Sequence, residues 1–249
     1  MKTKRLGLLA ITCMLLIARA SSQGLYFETT RSSEGITKFW YMPGKLKNVD
    51  PDGRTTIILL DKETIYDIKP ETKSYTEMTF ADLKKMYDAG HSMLNAMMQK
   101  RLESLPPEKR KQLEEKMGVM QANAAAEVKY EVTSTGDTKT ISGYPCSKYI
   151  VKRNGKDFET IWATKALGNM DGVHKDLDQL SQKLASAMNS HNAPLAWFKE
   201  IPGFPIANDL DGSNSTVARV EKRAVSDSEF EIPAGYSKEQ PKGFEKMGE

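Results

Sequence analysis

FADLKKMYDAGHSMLNAMMQKRLESLPPEKRKQLEEKMGVMQANAAA, residues 80–126, decides the fold, because it is a long helical stretch set between two halves that read as strands. Phe80, Leu83, Met86, Tyr87, Leu94, Met97, Met98, Leu102 and Leu105 recur at steps of three and four, the period of an apolar stripe on a helix. Leu105-Pro106-Pro107-Glu108 divides the stretch, since proline is tolerated in a first turn and an acidic residue is favoured there. The second helix is the more polar one, with Leu113, Met117, Met120 and Ala124 as a narrow stripe among lysines and glutamates. Such a hairpin, inserted in a sheet protein, is expected to act as a lid or plug.

Upstream, Gly24 to Thr30 and the aromatic Thr37 to Met42 read as strands, the second ending at Pro43-Gly44. Arg54 to Leu60 is a β-branched block between turns, and Thr64 to Ile68 and Lys73 to Thr79 continue the meander. Short strands at hairpin spacing imply an antiparallel sheet, because parallel crossovers need longer connections. Downstream, Val128, Tyr130 and Val132 alternate with Lys129 and Glu131, which predicts a strand with one wet face. Thr135-Gly136-Asp137 and Ile141 to Pro145 are expected to turn the chain, and Arg153-Asn154-Gly155-Lys156 is a hairpin signal. A strand over Asp157 to Thr164 then carries Phe158, Thr160 and Trp162 on one face and Ile161 on the other. A third helix is expected over Gly172 to Ser190, capped near Asp171, with Val173, Leu177, Leu180, Leu184, Ala187 and Met188 at helical steps. A loop over Pro194 to Pro205 carries Trp197 and Phe198. Closing strands are expected over Ile206 to Leu210, Thr216 to Val225 and Glu229 to Ile232, and a disordered tail over residues 237–249.

The ends bound the compartment. Lys2, Lys4 and Arg5 precede the apolar run Leu6 to Ala18, and Ala18-Arg19-Ala20 places small residues where a signal peptidase reads, so residues 1–20 are expected to be a secretory signal peptide. The run is shorter than the ~20 apolar residues of a membrane-spanning helix, and no integral span is expected after cleavage. The mature chain is then exported, periplasmic or extracellular, as a single domain over residues 21–249. Without the leader the formal net charge falls from +3 to −1, with both signs mixed along the chain, which gives no footprint for nucleic acid. Of two cysteines only Cys146 remains, so no internal disulfide can form.

Three stretches act as a set: Lys38 to Lys45 (KFWYMPGK), Ile141 to Tyr149 (ISGYPCSKY) running on to Glu159-Thr160-Ile161-Trp162, and Phe230 to Tyr236 (FEIPAGY). Together they resemble family 4412 of the domains of unknown function, a family of exported bacterial proteins. That family is similar to the periplasmic lipoprotein carriers LolA and LolB. The resemblance implies an α+β fold: a curved antiparallel β-sheet, an unclosed half-barrel, with helices covering its concave face. It implies no catalytic or ligand-contacting residue, because no motif of the carriers matches position by position. The long helical insertion departs from them.

Candidate sites follow from residue chemistry. Met86, Met93, Met97, Met98, Met117 and Met120, with Leu94, put adaptable apolar side chains on two helices, and Trp40 and Trp162 are expected to line the same concavity. Core packing explains the same pattern. His91 with Met93, Met97 and Met98 has the donor types for a soft metal, but the methionines continue the apolar stripe, and no metal is expected. The Gly-x-Ser-x-Gly elbow, the His-Glu helix motif of zinc hydrolases and a glycine-rich phosphate loop are all absent. Cys146 could meet His91, His174 or His191 only through the fold, and a strand cysteine is usually an inert hydrophobe. Asp209, Asp211 and Asn214 around Gly212 suggest a calcium loop but lack the downstream glutamate, and read as a turn. No enzyme and no cofactor are expected. The expected role is a carrier of an apolar ligand, a lipid, a lipoprotein acyl chain or a hydrophobic segment; the alternative is an envelope interaction module with a filled core. Nothing in the sequence indicates an oligomeric state.

Overall fold

The computed structural model describes residues 22–31, 35–125, 128–190 and 192–241. The chain runs β1 (Ser22–Arg31), β2 (Gly35–Met42), β3 (Lys45–Val49), β4 (Thr55–Leu59), β5 (Thr64–Lys69), β6 (Ser74–Thr79), α1 (Phe80–Glu103) and α2 (Pro107–Ala125). It continues through β7 (Tyr130–Ile141), β8 (Tyr144–Arg153), β9 (Lys156–Thr164), α3 (Asp171–Ala187), β10 (Phe204–Leu210), β11 (Ser213–Val225) and β12 (Ser237–Glu239). The strands form one curved, unclosed sheet in the order β12-β6-β5-β4-β3-β2-β1-β11-β10-β9-β8-β7. Every pairing is antiparallel except the short parallel contact of β12 with β6. The fold is therefore α+β, and β1 on β11 joins the two halves of the chain at the centre of the sheet.

Register explains how the sheet carries its helices. Leu25, Tyr41, Leu46, Ile58, Ile65 and Met78 are successive cross-strand partners from β1 to β6, so they form one row on one face. Leu46, Ile58 and Ile65 of this row pack with Leu177 and Leu184 of α3, around Leu60, Phe80 and Leu180. The residues between them point the other way, since strand side chains alternate. Trp40 and Met42 pack there with Ile57, Leu59 and Ile68, under Phe230, Ile232 and Tyr236 of the C-terminal segment. Both faces of this half are thus covered, and each large apolar side chain fully buried contributes about 1.5–3 kcal/mol.

α1 begins in a capping box: Thr79 Oγ1 accepts from the Asp82 amide at 3.0 Å and Asp82 Oδ2 accepts from the Thr79 amide at 3.1 Å. The Thr79 hydroxyl, donating to Asp82 Oδ2 at 2.8 Å, and then the Thr79 amide hold the Asp82 carboxyl below its ordinary pKa. The start of α1 is anchored by Phe80 in the core and by Lys84 and Asp88 hydrogen-bonded to Asn189 beyond α3. α2 folds back on the end of α1, where the Arg110 guanidinium donates to the carbonyls of Leu102, Glu103 and Leu105 and satisfies a helix terminus. No helix among the described residues is long and apolar enough to cross a membrane.

The structure departs from the sequence expectations at four places. β3 is an additional strand, because Pro43-Gly44 closes a tight hairpin instead of opening a loop. Thr135-Gly136-Asp137 does not reverse the chain; β7 runs through it with a register shift, and Gly136 takes φ +80°. Glu229 to Ile232 is no strand: a 3-10 turn over Asp227–Phe230 drops Phe230 into the core. Ser237–Glu239, expected in a disordered tail, forms β12, while residues 242–249 lie outside the described residues. The hairpin at Asn154-Gly155 forms as expected, with φ of 53° and 76°.

Candidate functional site: an apolar cavity beneath α3

β1, β11, β10 and β9 are neighbours, and their inward residues form the floor of a half-open cavity of about 450 Å³. That volume lies within the roughly 300–1,000 Å³ of small-molecule sites. Leu25, Phe27, Ile161, Phe204, Ile206 and Val217 line the floor, while Val173 and Leu177 of α3 and Leu195, Trp197 and Phe198 of the following segment line the roof.

The roof is pinned by polar contacts that the sequence disguises as surface chemistry. Asp176, 9 % exposed, accepts through Oδ2 from the Tyr41 hydroxyl at 2.9 Å and from the Gly44 amide at 2.7 Å, tying α3 to the β2–β3 hairpin. Burial and this bond push the Tyr41 phenol well above its ordinary pKa. Ser181, fully buried, accepts from the Leu195 amide at 2.8 Å and holds the returning segment against α3. Gly203 keeps φ +93° where a Cβ would lie 2.2 Å from the Thr164 carbonyl oxygen, so only glycine admits this entry into β10. The N-terminus of α3 lacks a side-chain cap from Asp171, whose amide instead donates to Asn169 Oδ1 at 2.6 Å.

One end of the cavity is polar. Glu159 on β9, Asn208 on β10, Ser215 on β11 and Thr29 on β1 all line it, and Asn208 is the direct register partner of Ser215. Asn208 Nδ2 donates to Glu159 Oε1 at 2.7 Å. Burial, only partly offset by that hydrogen bond, raises the Glu159 pKa above its ordinary value. A carboxyl whose folded pKa is raised binds its proton more tightly when folded, so its ionisation penalises folding as pH climbs from the unfolded value through the folded one. The Glu159→Gln variant is therefore expected to be more stable than the parent at pH 8 and to lose that advantage at pH 4, read as urea midpoints. An advantage that grows toward acid would contradict the assignment.

None of the candidate lining residues whose side chains are described lines this cavity. Trp40 and Trp162 sit one position from Tyr41 and Ile161, which do, and so belong to the opposite face. Trp40 instead has Lys47 over its ring at 4.7 Å, and Trp162 has Lys139 at 4.0 Å. Met93, Leu94 and Met97 are 64 %, 56 % and 61 % exposed on α1. Met86, Met98 and Met117 are half-buried but outside the cavity, and the side chain of Met120 lies outside those described. The helical stripe is consumed at the two ends of α1, by Phe80 against α3 and by the buried Leu102 near the turn into α2. The α3 stripe carried the recoverable signal: Val173 and Leu177 stand at the spacing of a helix that roofs something.

The remaining chemical candidates have structural roles. Cys146 is 2 % exposed, its thiol donates to the Tyr144 carbonyl at 3.3 Å, and burial raises its pKa, which opposes thiolate chemistry. His174 Nε2 lies 3.1 Å from the Gly203 carbonyl oxygen and its ring meets Phe198 edge-on. His91 contacts Asn95 at 3.1 Å on the exposed part of α1, and His191 lies outside the described residues. Asp209 Oδ1 accepts from the Gly212 amide at 2.9 Å, completing the β10–β11 turn. Among the described residues no three His, Cys, Asp or Glu side chains gather as metal ligands.

No curated protein matches the chain. Among solved structures it is similar to "Structure of PNGF-II in P21 space group", at 11 % identity and a TM-score of 0.37, over 92 % of this chain and 33 % of that one. The chain thus spans about a third of that protein, and the likeness carries no argument about function. A family model does match, over residues 91–236, from the middle of α1 through β11 and the segment after it, which takes in α3 and the cavity strands β9, β10 and β11 but not β1. The chain belongs to the family described as Domain of unknown function (DUF4412).

Proposed function

We propose that this protein is an exported carrier that takes one apolar chain into the cavity beneath α3, and that it acts by binding without chemistry. On this reading residues 1–20 direct export, the curved sheet is a half-barrel of the LolA and LolB kind, and α3 covers its hollow side. The hollow between α3 and the central strands, floored by Phe27, Ile206 and Val217, carries the proposal. Each methylene moved from water into such a space contributes about 0.8 kcal/mol, enough over a medium-length chain to outlast the entropic losses of binding. The site is moved from the methionines of the helical hairpin to the roof of α3.

Titration with an apolar fluorescent probe tests the proposal. Saturable one-to-one binding, reversed by a medium-chain amphiphile below its micelle concentration, is the expected result. Probe enhancement that never saturates, or that no amphiphile reverses, would overturn it.

The exposed Met93, Leu94 and Met97 favour a second reading, a surface for an envelope partner. Exposed substitutions away from packed features usually change stability by less than about 0.5 kcal/mol. The double variant Met93→Gln, Met97→Gln is therefore expected to match the parent both in urea midpoint and in probe affinity. A loss of probe affinity would return the ligand to the hairpin.

A further inference from the structure

We propose that Glu159, Asn208, Ser215 and Thr29 together form the head-group end of the cavity, and that this end selects amphiphiles bearing a primary amine over those bearing a carboxylate. This rests on the carrier reading and adds the class of ligand.

The four residues come from four adjacent strands, β9, β10, β11 and β1, and line one cavity whose other walls are apolar. Glu159 is 8 % exposed, yet its one hydrogen bond among the described residues is from the neutral Asn208 amide, to Oε1. No lysine, arginine or histidine among the described residues forms an ion pair with it. Buried carboxylates are normally paired with a cation or held by several donors, because an unpaired one is costly in an apolar wall. Oε2 is left with no protein donor, beside a space that continues into the cavity.

A primary ammonium supplies what is missing. It places one positive charge and a donor at Oε2 and still has N–H groups for the Ser215 and Thr29 hydroxyls, which accept as well as donate. Its hydrocarbon tail would run toward Leu25, Phe27 and Phe204, away from the polar end. An alcohol head supplies the donor without the charge. A carboxylate head supplies neither and brings like charge to Glu159, so the order expected is amine, alcohol, carboxylate.

Competition against the same probe with decylamine, decanol and decanoate, at pH 7.4 and below micelle formation, tests the assignment. The parent is expected to bind decylamine at least about tenfold more tightly than decanoate, a difference of about 1.4 kcal/mol. Glu159→Gln is expected to shrink that preference below threefold, by weakening decylamine and removing the like-charge penalty on decanoate. Glu159→Asp, which keeps the charge but withdraws it by one methylene, is expected to fall between and serves if the first variant does not fold. Equal affinity for all three heads, tighter binding of decanoate, or an amine preference that survives Glu159→Gln would overturn the head-group assignment while leaving the carrier reading standing. Failure of the probe and all three amphiphiles to bind would overturn both.

Discussion

Asp176→Ala is expected to lower stability by about 3 kcal/mol, seen as a lower urea midpoint, and to abolish probe binding even where the protein remains folded. The carboxylate is the shared acceptor of the Tyr41 hydroxyl on β2 and the Gly44 amide in the β2–β3 turn, at 2.9 and 2.7 Å. Alanine strands both donors beneath α3, and each unsatisfied buried group costs about 1–3 kcal/mol. Asp176→Asn keeps one acceptor oxygen and is expected to recover part of the loss. Tyr41→Phe removes a donor together with its need for a partner, so it is expected to cost about 1 kcal/mol, less than Asp176→Ala. Equal losses in Tyr41→Phe and Asp176→Ala would mean that the Gly44 bond is without weight and that α3 is held by its apolar face alone.

Val173→Trp is the second large effect, in affinity instead of stability. Val173 lies in the first turns of α3 and faces the cavity, without belonging to the cluster in which Leu177, Leu180 and Leu184 hold the helix to β3–β5. An indole there fills much of a space of about 450 Å³ with the protein's own atoms. Overpacking costs of about 1–3 kcal/mol apply where a core is already full, and a hollow absorbs the added volume at the low end of that range. Probe affinity is expected to fall at least about thirtyfold, close to 2 kcal/mol, with the far-ultraviolet spectrum unchanged. Undiminished affinity would place the probe elsewhere, and the exposed stripe of α1 would be the next surface to test.

The sequence makes the strands and helices legible because hairpin turns and apolar periods are local. Asn154-Gly155 sets its own turn, and the α3 stripe from Val173 to Leu184 marks its own buried face. β3 was illegible since Lys45, Lys47 and Asn48 are poor strand formers, and the strand exists through its partners Tyr41 and Ile58 on either side. The cavity was illegible for a deeper reason. Its floor is assembled where β1 meets β11, a pairing between residues nearly two hundred positions apart, and no short window contains both sides of it. Asp176 and Glu159 look in sequence like any other surface acids; only burial shows that one is an anchor and the other a carboxylate without a countercharge. Methionine does not mark a site by itself, because flexible apolar side chains suit a cavity wall, a helix contact and a solvent-facing helix equally well.

Native mass spectrometry of the protein purified without detergent from the cells that make it tests most directly whether α3 roofs an occupied site. The account predicts a parent species carrying one small apolar molecule, released on activation, and a bare mass for Val173→Trp. A bare mass for the parent under the same gentle conditions, or the same adduct retained on Val173→Trp, would contradict it.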